Sequence, residues 1–130
     1  MSKLASSVTI LCVGASVLAA AAYAATSSST AAGAFSAAQA ERGKAVYEKS
    51  CKNCHQQEFY QDRLVRWQKK SVGELFEVVS TSMPADNVGA LTTSEYLDVL
   101  AYVFSITGSK PGDDELTTDT MDGISIAAAN

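Results

Sequence analysis

Hydrophobic residues recur at helical spacing in this chain, and the segments that carry them begin with polar residues able to cap a helix. The capping-box pattern, Ser or Thr followed three positions later by Glu or Gln, occurs at residues 36–39, 71–74 and 92–95. No stretch alternates between apolar and polar residues for long enough to indicate a strand. The pattern therefore predicts an all-α fold.

The three capping boxes open helices of different character. The first predicted helix ends near residue 50, and its apolar or small face consists of Ala40, Gly43, Val46 and Tyr47. The second is short and contains Leu75, Phe76, Val78 and Val79. The third, residues 93–107, is the most apolar, and the Gly108 that follows it is typical of a helix end. Residues 56–70 fit either a loop or a helix.

The first 24 residues have the organisation of a secretory signal peptide. Lys3 makes a short basic start, residues 8–22 are mostly apolar, and residues 22–24 have the small-x-small pattern of a cleavage site. We expect cleavage after Ala24. An uncleaved N-terminal membrane anchor is the alternative, although polar residues interrupt the apolar stretch and leave it short for a span.

Composition divides the rest of the chain into three parts. Residues 25–35 are rich in Ser, Thr, Ala and Gly and predict a flexible lead. Residues 36–110 predict one small domain, and residues 111–130 an acidic C-terminal tail. A domain this short buries little apolar area for its surface, so a bound apolar group would add substantially to its core.

The strongest chemical motif is the stretch at residues 51–55, which reads C-x-x-C-H, the attachment sequence of a c-type haem. Cys51 and Cys54 are three positions apart, so each thiol can add to one vinyl group of the same porphyrin. His55 follows immediately and would ligate the iron as the proximal ligand.

Three other roles for these cysteines fit the sequence less well. A thioredoxin-like redox pair belongs in a βαβ pattern, and the chain shows none. A zinc site needs four nitrogen or sulfur ligands, but His55 is the only histidine and Cys12 the only other cysteine. A structural disulfide leaves the adjacent histidine unexplained. The sequence therefore favours one covalently attached haem c.

Met83 is the predicted sixth ligand of that iron. A thioether sulfur is the other common axial ligand in electron-transfer cytochromes, and it raises the reduction potential. Pro84 pushes Met83 toward an extended conformation outside any helical stripe, which argues against ordinary core packing. Of the other methionines, Met1 is the initiator and Met121 lies in the acidic tail.

These positions resemble those of class I c-type cytochromes of the bacterial periplasm, and the resemblance covers about residues 36–106. The motif at residues 51–55 matches the family's haem-attachment sequence, and Met83 matches its distal ligand. The resemblance implies a cytochrome c fold, with three to five short helices wrapped around one covalent haem. It also implies that the first and last helices cross at Gly43 and Tyr102.

A narrower resemblance, to small cytochromes associated with periplasmic quinoprotein-type dehydrogenases, concerns Trp67, residues 75–76, residues 83–87, Leu91 and residues 111–126. It implies that the protein carries single electrons from an exported dehydrogenase toward a terminal oxidase or another cytochrome. Candidates for contact with a haem propionate, or alternatively solvated loop residues, are Tyr60, Arg63, Arg66 and Trp67.

One departure from the family concerns the proximal histidine. The family has a proline after the motif whose carbonyl accepts a hydrogen bond from the histidine ring. The only prolines here are Pro84 and Pro111. We therefore expect another carbonyl, near residues 62–64, to accept the bond and fix the ring. The alternative is that the orientation of the ring is less fixed than in the family.

Charge is distributed unevenly along the chain. The net charge is −4, and it becomes −5 when Lys3 leaves with the signal peptide. Residues 41–70 carry eight basic and four acidic side chains, whereas residues 71–130 carry one basic and ten acidic. This predicts a dipole whose positive end lies near the attachment motif and steers a redox protein partner. An ordinary solubilising surface is the alternative.

Other function classes lack support. There is no net basic surface for nucleic acid, and no paired carboxylates, Ser/His arrangement or phosphate loop for an enzyme with a small-molecule substrate. We expect a periplasmic electron-transfer protein with no catalytic residues and with His55 and Met83 as iron ligands. The alternative function is a haem protein with a displaceable sixth ligand, acting as a gas sensor or peroxidase-like enzyme. Membrane association is expected only if the N-terminal segment stays uncleaved.

Overall fold

Four α-helices account for most of the regular structure in residues 29–128, the part of the chain that the computed structural model describes. They are α1 (Ala37–Ser50), α2 (Gln57–Leu64), α3 (Val72–Ser82) and α4 (Thr93–Ile106), accompanied by 3-10 turns at Thr30–Ala32, Val65–Trp67 and Met121–Gly123. Within residues 29–128 the only β-type pairings are isolated bridges. The predicted all-α class is confirmed.

Two further expectations concern the predicted signal peptide and membrane association. The predicted signal peptide, residues 1–24, lies outside it. In residues 29–128, no helix combines the length and the apolar character needed to cross a membrane.

The helix starts follow the capping prediction at two of three positions. Ser71 and Thr92 each accept a hydrogen bond from the backbone N–H three residues on, and the glutamate at that position bonds back to the capping residue. Ser36 accepts the N–H of Gln39 at 3.1 Å, but the return bond is not formed. The box at α1 is therefore half complete, because the Gln39 amide bonds to the C-terminal end of the chain instead.

Residues 56–70, which fit either a loop or a helix by sequence, are largely helical. They form α2 and the 3-10 turn at Val65–Trp67. Gln56 precedes α2 without a side-chain capping bond, which explains why no capping signal marked this helix in the sequence.

Helices α1 and α4 pack against each other more extensively than any other pair. They cross at Gly43, where a Cβ atom would lie 1.8 Å from the backbone oxygen of Asp98 and 3.0 Å from Cβ of Tyr102. Carbon atoms in favourable contact are about 3.5–4.0 Å apart, so only glycine permits this approach. The predicted crossing of Gly43 with Tyr102 is confirmed, and the nearest atom belongs to Asp98, one turn earlier on α4.

The main hydrophobic cluster joins α4 to both ends of the described region. Phe104 of α4 is 1% exposed, and its ring lies 6.4 Å from that of Phe35, which is fully buried ahead of α1. The same cluster includes three side chains from the C-terminal segment, defined as residues 111–128: Leu116, Ile124 and Ile126.

Residues 29–35 and 111–128, the described parts of the chain on either side of residues 36–110, are packed. Over residues 29–35 this differs from the flexible lead that the sequence predicts for residues 25–35. Thr30 is 1% exposed and donates its backbone N–H to the carbonyl of Ser125 at 2.9 Å. In the C-terminal segment, the carbonyl of Ile126 accepts the N–H of Lys69 at 3.1 Å, and the N–H of Ile126 donates to the carbonyl of Lys70 at 2.9 Å. The folded unit therefore extends beyond the predicted domain in both directions, because apolar side chains there fill the core.

Two polar contacts fasten the C-terminal segment to α1. The buried Gln39 donates from Nε2 to the carbonyl of Leu116 at 2.9 Å and accepts the Leu116 N–H at 2.8 Å. Arg42 donates two hydrogen bonds of 3.0 Å to the carboxylate of Asp98 on α4 and one of 2.9 Å to Glu115. These contacts tie α1, α4 and the C-terminal segment into one unit.

Candidate cofactor site

The motif at residues 51–55 forms a turn directly after α1. Cys51 caps the helix, with its N–H donating to the carbonyl of Tyr47 at 2.9 Å. The N–H groups of Cys54 and His55 both donate to the carbonyl of Cys51, at 3.2 and 2.9 Å. Two thiols and one imidazole are thus held in a single local unit, stabilised by backbone hydrogen bonds that span at most five residues.

Tyr47 anchors this turn from inside the contact between α1 and α4. Its ring is 2% exposed and lies 5.1 Å from the ring of Tyr102, and its hydroxyl donates to the carbonyl of His55 at 2.8 Å. Burial raises the pKa of Tyr47, so the hydroxyl remains a donor at neutral pH. The sequence placed Tyr47 on the apolar face of α1, but its bond to His55 depends on the turn geometry.

The His55 ring lies among aromatic side chains at the start of α2. Phe59 stacks on it, with ring centroids 4.3 Å apart and an interplanar angle of 27°. Tyr60 meets it edge-on at 6.0 Å. On the Phe59 ring in turn lies the guanidinium of Arg63, 4.9 Å from its centroid.

The Nδ1 atom of His55 is buried and has no hydrogen-bond partner. The prediction that a carbonyl near residues 62–64 accepts a bond from this ring is therefore wrong in this structure. Residues 62–64 form the last turn of α2, seven to nine residues after His55, and none of their carbonyls accepts a bond from the imidazole.

Both cysteines of the motif are free thiols in this structure. Cys51 is half-buried and Cys54 is exposed. Burial raises the pKa of Cys51, so this thiol is protonated at neutral pH. Neither sulfur is committed to the other, and both are chemically suited to form thioether bonds.

Met83 lies in a separate loop, directly after α3. Its N–H donates to the carbonyl of Val79 at 2.9 Å, and its own carbonyl accepts the hydroxyl of Tyr96 at 2.6 Å. Its φ of −126° and ψ of 151° are extended, as Pro84 predicts. The backbone of this residue is therefore fixed between α3 and α4, outside either helix.

Helix α4 supports both parts of the candidate site. Tyr96, which is 4% exposed, holds the loop of Met83, while Tyr102, two turns later, packs on the Tyr47 ring that holds the turn of His55. The structure thus brings Cys51, Cys54 and His55 together in one turn and places Met83 in a second loop braced by the same helix. Nothing in the sequence indicates the Tyr96 contact, since a tyrosine on the apolar face of a helix is usually a core residue.

The residues considered for propionate contact differ in exposure. Trp67 is half-buried against the main hydrophobic cluster, with the ammonium of Lys70 4.8 Å from its ring centroid. Tyr60 is also half-buried, and burial raises the pKa of its hydroxyl. Arg63 and Arg66 are exposed. Their roles toward a propionate stay predictions.

Two surface cavities differ in their position relative to the candidate site. A cleft of about 170 Å³ borders the last turn of α1 and is lined by Ala45, Val46, Lys49, Ser50, Leu91 and Glu95. A larger cavity of about 520 Å³ lies between Ala34 and the C-terminal segment, and none of the four predicted site residues lines it.

The donor atoms of the site fit a cofactor that itself supplies most of the ligands of its metal ion. Among residues 29–128, no cluster of three or more His, Cys, Asp or Glu side chains is arranged to hold a metal ion. A haem iron takes four nitrogens from the porphyrin and needs only axial ligands from the protein. Two free thiols, the imidazole of His55 and the thioether of Met83 offer the attachment points and axial ligands that such a group would need.

Comparison with protein-family models gives no match, and neither the curated proteins nor the solved structures that were searched contain a significant match.

Proposed function

We propose that this protein is a mono-haem c-type cytochrome that carries single electrons. The observation that carries the proposal is the turn at residues 51–55, in which two free thiols and the imidazole of His55 are held in one unit by Tyr47. Haem c would supply an iron that gains and loses one electron. The cytochrome c fold belongs to the same proposal and is supported by the close crossing of α1 and α4 at Gly43.

Each site residue has a distinct role in this proposal. Cys51 and Cys54 hold the porphyrin through thioether bonds, and His55 and Met83 are the axial ligands. Tyr47 and Tyr96 act on the backbone, because their hydroxyls bond to the carbonyls of His55 and Met83 at 2.8 and 2.6 Å. Tyr47 lies on α1 and Tyr96 on α4, and these two helices pack closely against each other. The backbones of both axial residues would therefore move little when the iron changes oxidation state, which favours rapid electron transfer.

The proposed partners and location rest on the predicted signal peptide and on the type of cofactor site. We propose a periplasmic protein that accepts electrons from an exported dehydrogenase and passes them to a terminal oxidase or another cytochrome. The exposed Lys49 and Lys52 flank Cys51 and would form a positive rim for an acidic partner surface.

Covalent attachment is the decisive test. The protein is produced with its signal peptide in a bacterium that carries the haem-attachment machinery, and the purified product is extracted with acidified acetone. We expect the colour to remain on the polypeptide at one haem per chain, measured as the pyridine haemochrome. Cys51→Ala and Cys54→Ala should each lose one thioether bond and give a much lower yield of coloured protein.

Asn53→Ala is the matched control, because Asn53 lies exposed between the two cysteines and makes no thioether bond. It should retain wild-type haem content. Haem that extracts freely from the wild type, or a colourless wild type, would refute the proposal.

A further inference from the structure

The side chains of His55, Phe59 and Arg63 form a continuous stack at intervals of four residues. The imidazole and phenyl centroids are 4.3 Å apart, and the guanidinium carbon of Arg63 is 4.9 Å from the phenyl centroid. Phe59 and Arg63 are four residues apart on one face of α2, whereas His55 lies in the turn just before that helix. Helix α2 therefore sets the spacing of Phe59 and Arg63, and the turn brings the imidazole onto Phe59. Offset stacking of aromatic rings and a cation over a ring face are both attractive, so the three side chains hold one another in place.

The stack adjoins an imidazole that lacks the usual means of orientation. A ligating histidine almost always donates its second ring N–H to a carbonyl, a carboxylate or water, which fixes the ring and makes it a stronger electron donor. The Nδ1 atom of His55 is buried and has no such partner. The backbone of His55 is held by Tyr47, but a bond to the carbonyl leaves rotation about the side-chain torsions free. Packing must therefore orient the ring.

We propose that Phe59 is a positioning residue for the proximal imidazole, with Arg63 securing Phe59 from its other face. This inference rests on the proposed function, because it treats His55 as an iron ligand. The stack replaces a hydrogen bond from Nδ1 and shields that nitrogen from water. A ring without the hydrogen bond donates less electron density, so the arrangement favours ferrous iron and raises the reduction potential.

The test uses the haem-loaded protein and three readouts that do not depend on electron-transfer activity. In the reduced, diamagnetic wild type, proton NMR should show through-space contacts between the His55 and Phe59 rings and no Nδ1–H shift of a strong hydrogen bond to a carbonyl. In oxidised Phe59→Leu, the g values of the low-spin iron should change or broaden as the ring reorients. The midpoint potential of this variant should fall, because water gains access to Nδ1.

Arg63→Lys keeps the charge and removes the planar group over Phe59. Arg63 is exposed, so this variant should fold, and it should shift the g values and potential in the same direction as Phe59→Leu but less. Val65→Ala, which truncates a 54% exposed side chain just after α2, is the control and should match the wild type.

Two results would overturn the inference. One is an NMR spectrum in which Nδ1–H is bonded to a protein carbonyl. The other is a wild-type potential and wild-type g values in both Phe59→Leu and Arg63→Lys. In each of these cases haem is attached and the proposed function stands, whereas a wild type that takes up no covalent haem contradicts the proposed function itself.

Discussion

Met83 and Met121 are held in different ways, and the difference distinguishes a candidate ligand from a packing residue. Met83 lies in an extended loop and its carbonyl accepts the hydroxyl of Tyr96. Met121 starts a 3-10 turn and is packed against the main hydrophobic cluster. The structure thus fixes the backbone of Met83 by hydrogen bonds, whereas it uses the side chain of Met121 as core.

Replacement of Met83 tests its role directly. In haem-loaded Met83→Ala we expect the iron–thioether charge-transfer band of the oxidised protein to vanish and the midpoint potential to fall, because a thioether ligand favours ferrous iron. Carbon monoxide should bind the reduced variant faster than the reduced wild type. Visible absorption and CO-binding kinetics measure these effects.

Met121→Ala is the matched control and should keep the band while losing some thermal stability. If Met83→Ala retains the band, the sixth ligand is another group. If the wild type already binds CO as fast as Met83→Ala, the alternative of a gas sensor or peroxidase-like enzyme with an open sixth position gains support.

Among the elements, the crossing of α1 and α4 depends most on a single residue. In Gly43→Ala the added Cβ would meet the backbone oxygen of Asp98, which cannot rotate away as a side chain can. Overpacking at such a contact costs about 3 kcal/mol, and the better helix propensity of alanine offsets about 1 kcal/mol. We expect a net loss of about 2 kcal/mol in the free energy of unfolding, measured by denaturant titration.

Gly123→Ala provides the comparison, because a Cβ there has no atom within 4 Å. It should change stability by less than about 0.5 kcal/mol. Equal stability of Gly43→Ala and the wild type would contradict the close crossing.

The sequence predicts the helices whose first turn carries a capping signal. The capping boxes at Ser71 and Thr92 mark the starts of α3 and α4, since those signals act within one turn. Helix α2 remained ambiguous, because Gln56 offers no capping bond and the segment is only weakly amphipathic. The sequence predicts an acidic tail for the C-terminal segment, which is packed in the structure. Its buried residues Leu116, Ile124 and Ile126 are spaced irregularly among acidic residues and follow neither a helical nor a strand period.

The candidate site was predictable in part. The sequence indicates the motif at residues 51–55 and Met83 as candidate site residues, because residue type and spacing alone suggest their chemistry. The supporting bonds from Tyr47 and Tyr96 could not, since they join positions whose proximity depends on how helices pack. The Phe59 contact has a weak sequence signal, because Phe59 lies four residues after His55 on a segment that fits either a loop or a helix.

At the scale of the whole molecule, Arg42 joins three parts of the chain through Asp98 and Glu115. The hydrogen bond from Arg42 lowers the pKa of Glu115. A carboxylate with a lowered folded-state pKa stabilises the fold above its unfolded pKa of about 4.3, and this contribution is lost as the pH falls through the folded-state value.

Glu115→Gln should therefore lower the melting temperature slightly at pH 7, and the difference from the wild type should shrink below about pH 4. Both side chains are largely exposed, so the effect is small and should decline as salt is added. Glu77→Gln is the control, because Glu77 is exposed and makes no ion pair within residues 29–128. A difference for Glu115→Gln that persists unchanged at pH 3 would show that the ion pair is not its source.

The uneven charge predicts a preference among small redox reagents as well as among proteins. Lys49→Glu combined with Lys52→Glu should slow oxidation of the reduced haem protein by anionic hexacyanoferrate(III) and speed its oxidation by a cationic cobalt(III) complex. Rim charges act mainly on the association rate. Both effects should therefore shrink as the ionic strength approaches that at which the Debye length is about 8 Å. Stopped-flow absorption measures the rates.

Lys44→Glu combined with Lys110→Glu changes the net charge by the same amount away from Cys51. This control should alter the rates much less, and the absorption spectra of both double variants should match the wild type. Equal rates for the two double variants would mean that net charge, and not a rim at the attachment turn, governs encounter.

The contact that closes the two ends of the described chain has a consequence for the order in which the molecule assembles. The N–H of Ala127 donates to the side-chain oxygen of Thr30 at 2.9 Å, across 97 positions of sequence. Loop-closure entropy rises with the logarithm of the separation, and contacts of such range slow folding. The backbone hydrogen bonds of the turn at residues 51–55, by contrast, span at most five residues, and the Tyr47 hydroxyl reaches the His55 carbonyl across eight. An emerging chain can therefore form these short-range bonds while its ends are still apart. We expect the proposed covalent attachment at Cys51 and Cys54 not to require the contact between Thr30 and Ala127.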